Sequence, residues 1–490
     1  MVNRFPKLGT EIPIALFLLL VSICLFLPVF IQSDVLVYNG DIDLFFPNEV
    51  VIQDSMTRGD SLLWNPYFGA GSPGLGRIQL GLFYPPMFLM RHLMPIVSRF
   101  NWDAVFNVFL AGYGMYWFVR DLVRRRTPAV FSALAFMLSG SIIPRIFAGH
   151  VSVLHSIIWA GWLLFAYRRM LLRKSWWYLI LTIVFSSLVL LGGQPQMSGI
   201  VLILPVSFFI FVYAADKIRH KSWSDLAEGT TLSIAAGILS LTLIAVQLLP
   251  FLEWLPWTQR GAGEAFDSLE VMLRQSVQLP NLLTPFMPLA WASPERALTI
   301  QFSSISHFWE TSPFVGILTL VLAVLSVILV DEKNKWLARF LIGTALVATF
   351  LSIGPGNPIY TLLLEDFPYI RAPGRFLILW TFALSVLAGL ALDGLLSRWS
   401  LGSERGFPIK AAAGISAFSL AVVLVVVGWN VSGMTVPRFL INQFRYDYSL
   451  GFVQDLLQRS SIILALTVLV ISALFWLPVI LEREAVNLNT

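Results

Sequence analysis

The strongest constraint on this chain is a recurrence of apolar runs about as long as a bilayer is thick. A helix needs roughly 20 largely apolar residues to cross the hydrocarbon core. Such runs lie near 11–31, 103–121, 128–147, 151–171, 176–193, 197–215, 228–250, 312–330, 336–353, 375–397, 409–431 and 460–481. They predict about twelve transmembrane helices. The run at 128–147 is the weakest, because it carries Pro144 and Arg145. Composition points the same way. The chain is 57% hydrophobic and 12% charged, whereas soluble domains carry roughly 25% charged residues. A soluble core would also split into domains well before 490 residues. No repeat or low-complexity linker interrupts the chain, so the predicted fold class is an all-α polytopic membrane protein forming a single integral membrane domain over 1–490.

The first run, Ile12 to Ile31, follows Arg4 and Lys7. It is too long for the apolar core of a signal peptide, and no small-x-small cleavage site follows it, so it reads as a retained span. The lone cysteine, Cys24, lies inside this run, which excludes a disulfide framework and a cysteine metal cluster. The formal charge of +5 comes with Lys and Arg flanking apolar runs, a topology signal rather than a nucleic-acid-binding one.

Short basic connections alternate with long aromatic ones. Arg120 to Arg126, Arg168 to Lys174, Lys217 to Lys221, Lys333 to Arg339 and Arg398 to Lys410 form the basic set, with Arg4 and Lys7. The positive-inside rule makes these cytoplasmic and, for an even span count, puts both termini inside. The loops 32–102, 251–311, 354–374 and 432–459 are rich in Trp, Tyr, Pro and Gly and fall outside by parity. Most of the non-membrane mass is thus extracytoplasmic, and function is expected there.

The first outer loop, 32–102, opens with Tyr38-Asn-Gly-Asp-Ile-Asp. Asp41 and Asp43 lie within a few residues of the membrane surface. A carboxylate at an apolar boundary tends to a raised pKa, which suits a general base. The two acids share a face if the chain is extended and diverge on a helix. Solvated loop acids are the plainer reading. Pro47 to Arg58 predicts a short helix, and 82–97 predicts an interfacial helix too short to span. The second large outer loop is 251–311.

The segments Gly40-Asp-Ile-Asp-Leu-Phe-Phe-Pro, Asp60-Ser-Leu-Leu-Trp-Asn-Pro-Tyr-Phe-Gly-Ala-Gly-Ser-Pro and Gln79-Leu-Gly-Leu-Phe-Tyr-Pro-Pro resemble the opening of the YfhO-like bacterial membrane proteins. Gly192-Gly-Gln-Pro-Gln, Pro250-Phe-Leu-Glu-Trp, Phe308-Trp-Glu-Thr-Ser-Pro-Phe-Val-Gly-Ile-Leu and Arg371-Ala-Pro-Gly-Arg-Phe agree, so the resemblance runs to about residue 397. That family is similar to the C-type (GT-C) glycosyltransferases. The resemblance implies a polyprenyl-phosphate sugar donor, an active site on the outer face, and an acid of the first outer loop as catalytic base. By position Asp41 takes that role. Ile42-Asp43 departs mildly from the family pattern, which leaves Asp43 as a helper that orients the acceptor or binds a metal.

Such chemistry also needs a cation at the leaving phosphate. Arginine binds phosphate oxygens through a planar fork, and Arg371, Arg375 and Arg145 are the candidates. Interfacial snorkelling is the other reading. His150, Gln194, Gln196, Glu310 and His307 are candidate substrate contacts, with Glu253 a weaker one. His155 stands five residues from His150, roughly 140° around a helix, a poor joint metal pair that reads instead as a hydrogen-bonded interfacial histidine. A divalent metal on Asp41 and Asp43 is left open, since no complete ligand set is visible. The expected partners are the bilayer, the lipid-linked donor, and a glycan, lipid or protein acceptor, without nucleic acid. The rival class is a transporter or flippase of lipid-linked saccharides, which usually carries ionisable residues at mid-membrane.

Overall fold

The computed structural model describes residues 9, 11–32, 35–123, 125–258, 275–277, 281, 284–286, 308–364 and 372–400, with single positions at 424, 462, 464, 465 and 468. Apart from those single positions, the expected spans near 409–431 and 460–481 lie outside the described residues, as do the loop 432–459, most of 251–311, and the candidates His307 and Arg371.

The described chain is helical apart from one small hairpin. Helix α1 (Ile12–Leu25) passes Phe26 into α2 (Leu27–Ile31). The segment 32–102 holds α3 (Ile42–Arg58), the antiparallel strands β1 (Trp64–Asn65) and β2 (Ser72–Pro73), and α4 (Pro85–Leu93). Next come α5 (Ile96–Leu122), α6 (Arg126–Met137), α7 (Ile143–Phe147), α8 (Val151–Ile157), α9 (Ala160–Arg173) and α10 (Trp176–Leu191). Helix α11 (Pro195–Phe208) runs through a π-helical turn into α12 (Ala215–Arg219), and α13 (Trp223–Trp254) follows. The later elements are α14 (Phe308–Thr311), α15 (Ile317–Leu329), α16 (Lys335–Ser352), α17 (Pro358–Leu364) and α18 (Leu377–Ser400).

Five stretches among the described residues are long and apolar enough to cross a membrane: Val151–Arg173, Pro195–Arg219, Trp223–Trp257, Glu332–Ser352 and Pro373–Arg398. Three shorter apolar helices, Ile12–Leu25, Trp176–Leu191 and Ile317–Leu329, accompany them. Helix α5 has the length but carries Arg99, Asp103, Arg120 and Asp121. The core forms where α5 packs on α1, α6 and α9, and where α18 packs on α6, α15 and α16. Helix α13 instead turns Ile234, Ile238, Leu241 and Leu249 outward, a surface suited to lipid rather than water.

Two expectations change. The run 128–147 is not one helix, because α6 stops at Met137. There Gly140 donates its N–H to Phe314 O at 2.6 Å, and a Cβ at Gly140 would stand 2.0 Å from Ser312 O. The close backbone approach turns the chain, and Pro144 then starts α7. Helix α3 begins at Ile42 rather than near Pro47, so Asp41 stands at its N-cap position without a side-chain capping bond and Asp43 sits in its first turn, where the helix dipole favours an acid. Its end is as the composition suggests: Gly59 adopts a left-handed φ of +72° and Asp60 N–H returns to Ser55 O at 2.8 Å.

The basic connections meet at one end of the bundle. Glu11 pairs with Arg126 at 3.0 Å and accepts from Tyr116, and Asp121 pairs with Arg168 and Arg169. Arg125 donates to Ser397, Lys333 and Asn334 donate to Leu122 O, and Arg398 donates to Ile328 O. Lys174 and Lys217 both pair with Asp225. Segments that the sequence assigns to one side are therefore neighbours in space.

Candidate active site

At the opposite end two glycine turns interlock. Gly40 has φ +57° and Gly149 has φ +75°. A Cβ on Gly40 would stand 2.6 Å from Ala148 O, and one on Gly149 would stand 2.0 Å from Asn39 O and 2.8 Å from Asp41 N. Backbone thus touches backbone, and Asp41 N–H donates to Ala148 O at 2.9 Å. The contact brings together two candidates far apart in sequence. His150, the residue that starts α8, places Nε2 3.4 Å from Asp41 Oδ2. That exceeds the usual hydrogen-bond range of about 2.7–3.2 Å, so the two side chains are neighbours rather than a hydrogen-bonded pair. The His150 ring meets Trp309 edge-on, with centroids 5.7 Å apart.

The Asp41 side chain is 60% exposed, yet its pKa is raised above the usual aspartate value. Burial is the main cause, with Glu310 and Asp43 adding to the rise and Arg375 opposing it. Open surface and desolvation thus coexist at Asp41. The exposure means that the desolvation is partial.

Glu310 acts on Asp41 through its charge, and its own side chain is 2% exposed. One oxygen takes Arg145 Nη2 at 2.8 Å and the other takes Arg375 Nε at 2.9 Å. Burial alone would raise the Glu310 pKa. Arg145, Arg375 and His150 outweigh it and hold the carboxyl well below the ordinary range. Two guanidiniums against one carboxylate leave excess positive charge beside Asp41. Arg145 Nε donates to Ser141 O at 3.1 Å, while its enclosed Nη1 has no hydrogen-bond partner among the described residues.

Gln196 joins the cluster, accepting from Arg375 Nη1 at 3.3 Å and donating to Ala372 O at 3.0 Å. Gln194 does not: its side chain caps α11 by accepting from Met197 N–H. Asp43 is exposed in the first turn of α3 and reaches the site only through its charge on Asp41. Glu253 lies exposed near the end of α13. Among the described residues, no group of three or more His, Cys, Asp or Glu is placed to hold a metal ion.

Two buried networks escaped sequence reasoning. In the first, Glu49 takes Arg91 and Arg99 at 2.6 Å each, and Arg91 also donates to Leu80 O and Gly81 O. This fastens α4 and the start of α5 to α3. In the second, Asp103 accepts from Tyr38 OH at 2.8 Å and Asn107 Nδ2 at 2.9 Å, and faces His155 Nε2 at 2.8 Å. His155 is hydrogen-bonded, as read, but its partner is a buried carboxylate. The signal for Asp103 was an acid inside a predicted span, which is costly unless paired. The family-like segments have local reasons too. Asn65 of Leu-Trp-Asn-Pro is buried, accepts from Tyr67 N–H and donates to Asn48. Tyr84 of Leu-Phe-Tyr-Pro-Pro stacks on His155. Comparison with protein-family models, with curated proteins and with solved structures finds no match to this chain.

Proposed function

We propose that this chain is a membrane glycosyltransferase of GT-C-like architecture. It moves a sugar from a polyprenyl-phosphate donor to an envelope acceptor on the extracytoplasmic face. In this reading the chain crosses the membrane about twelve times with both termini cytoplasmic. Asp41 removes the proton from an acceptor hydroxyl as its oxygen attacks the anomeric carbon. The bond from that carbon to the phosphate oxygen breaks, and polyprenyl phosphate leaves. Asp41 then returns the proton to water.

One observation carries the reading. An open carboxylate of raised pKa stands 3.4 Å from a histidine, beside a buried cluster with more guanidinium than carboxylate charge. A base and an anion-stabilising group side by side are what transfer from a phosphate-linked donor needs. Arg375 is 16% exposed and its charge acts on Asp41, so in this reading it serves the leaving phosphate more directly than the enclosed Arg145.

A flippase of lipid-linked saccharides has one observation in its favour, the buried Asp103 inside α5. The test is direct. Purified full-length protein is given a panel of polyprenyl-phosphate sugars, and sugar transfer or slow hydrolysis is followed. Turnover that Asp41→Asn abolishes supports the enzyme. Silence across the panel, or near-normal turnover by Asp41→Asn, overturns it. Movement of the lipid between vesicle leaflets without cleavage assigns the flippase.

A further inference from the structure

We infer that Asp103 is the positioning residue for the Asp41–His150 pair, an inference that rests on the reading of Asp41 as base. Asp103 is 2% exposed and reaches both partners by separate routes. Its Oδ2 accepts from Tyr38 OH at 2.8 Å, and Tyr38 stands three residues before Asp41 in the non-helical strap 35–41. Its Oδ1 faces His155 Nε2 at 2.8 Å, and His155 lies on α8, the helix that His150 starts. Asn101, also on α5, holds the same strap in the manner of a neighbouring β-strand. Its Oδ1 accepts from Val37 N–H at 2.9 Å and its Nδ2 donates to Val35 O at 2.8 Å. The His155 ring is clamped on its face by Tyr84, with centroids 4.4 Å apart, and Tyr84 OH accepts from Trp159 at 3.0 Å.

This arrangement differs from ordinary core packing. A well-packed apolar cluster would fasten α5 to α8 at least as firmly as a buried carboxylate does. Three directional donors on one carboxylate instead set distance and angle, which is what a base and its histidine require. The strap and α8 are also in contact through Gly40 and Gly149, so an error in either displaces Asp41 relative to His150.

The chain has five histidines, so ring-13C histidine labelling of the full-length protein in nanodiscs gives a resolvable set of signals. His150→Gln identifies the His150 signal, and Asp41→Asn shows where that signal moves when the carboxylate is lost. Tyr38→Phe removes a single hydroxyl from the network. The inference expects Tyr38→Phe to move the His150 signal part of the way to its Asp41→Asn position. It expects kcat to fall on the order of tenfold or more with KM nearly unchanged. Added to Asp41→Asn, Tyr38→Phe costs no further rate. Asp103→Asn produces the same changes, larger; where it does not fold, Tyr38→Phe decides. An unmoved His150 signal in folded Tyr38→Phe overturns the inference, as does a loss confined to the thermal midpoint. If Asp41→Asn keeps its turnover, the base assignment falls, and the His150 shift in Tyr38→Phe still decides the positioning.

Discussion

His150 Nε2 stands 3.4 Å from Asp41 Oδ2 because their backbones touch, not because their side chains seek each other. Ala148 O accepts from Asp41 N–H, and only glycine fits at positions 40 and 149. The geometry of the pair therefore belongs to the chain's course. Removing the Asp41 carboxylate leaves that course intact, while crowding Gly149 alters it without touching a charge.

Gly149→Ala tests this separation. The new Cβ would meet Asn39 O at 2.0 Å, Ile42 N at 2.6 Å and Asp41 N at 2.8 Å, on a residue with φ +75°. A displacement of about 1 Å in a catalytic group costs on the order of a hundredfold in rate, and that is the expected loss in turnover. Gly199→Ala, whose Cβ meets nothing within 4 Å, is the matched control and should keep full activity. Equal activity in the two variants would contradict the backbone account.

The pH dependence follows from the sign of the Asp41 shift. A general base works ionised, so turnover falls as pH drops through its pKa. Burial raises that pKa, which moves the fall above the ordinary aspartate value of about 3.9. The acid limb of kcat/KM should therefore have its midpoint above that value. A midpoint at or below it contradicts the assignment.

Glu310 behaves in the opposite sense. Its folded-state pKa is held low by Arg145 and Arg375. Its ionised form thus contributes stability that is complete above the unfolded value of about 4.3 and lost as pH falls below it. Glu310→Gln leaves two buried guanidiniums without their shared anion, a change expected to cost about 3–5 kcal/mol. The unfolding midpoint of the full chain should drop clearly at pH 7, and the gap to wild type should close in acid. A gap that persists at low pH would show that the carboxylate's charge is not the cause.

Five of the expected spans were legible as helices long and apolar enough to cross a bilayer, because bilayer thickness acts on sequence directly, as run length. Parity then put Asp41, Arg145, His150, Gln196, Glu310 and Arg375 on one side, and these do come together. Their pairing was not legible. Glu310 meets Arg145 and Arg375 through the turns at Gly140 and Gly374, both set by close backbone contacts. That the Gln194 side chain caps α11 was not legible either, because it rests on one local hydrogen bond. Asp103 was hidden because its run was judged by average apolarity. The i, i+4 spacing of Asp103 and Asn107, with Asn101 just before, was the available sign of a polar stripe on an otherwise buried helix.

Arg375 separates a phosphate-binding arginine from one that is only a charge at the boundary. Its Nε is committed to Glu310 at 2.9 Å and its Nη1 to Gln196 at 3.3 Å, while its side chain stays 16% exposed. The fork is thus oriented before any ligand arrives. Lysine keeps the charge but has one nitrogen, which cannot hold Glu310 and Gln196 and also face a phosphate. Arg375→Lys should therefore raise KM for a polyprenyl-phosphate sugar about tenfold, equivalent to about 1.4 kcal/mol of lost binding. Gln196→Ala should give a smaller rise, because it loosens the fork without removing it. If snorkelling were the whole role of Arg375, lysine would serve equally and both constants would stay at the wild-type value. Steady-state kinetics on the two variants, at one fixed acceptor concentration, distinguishes these outcomes.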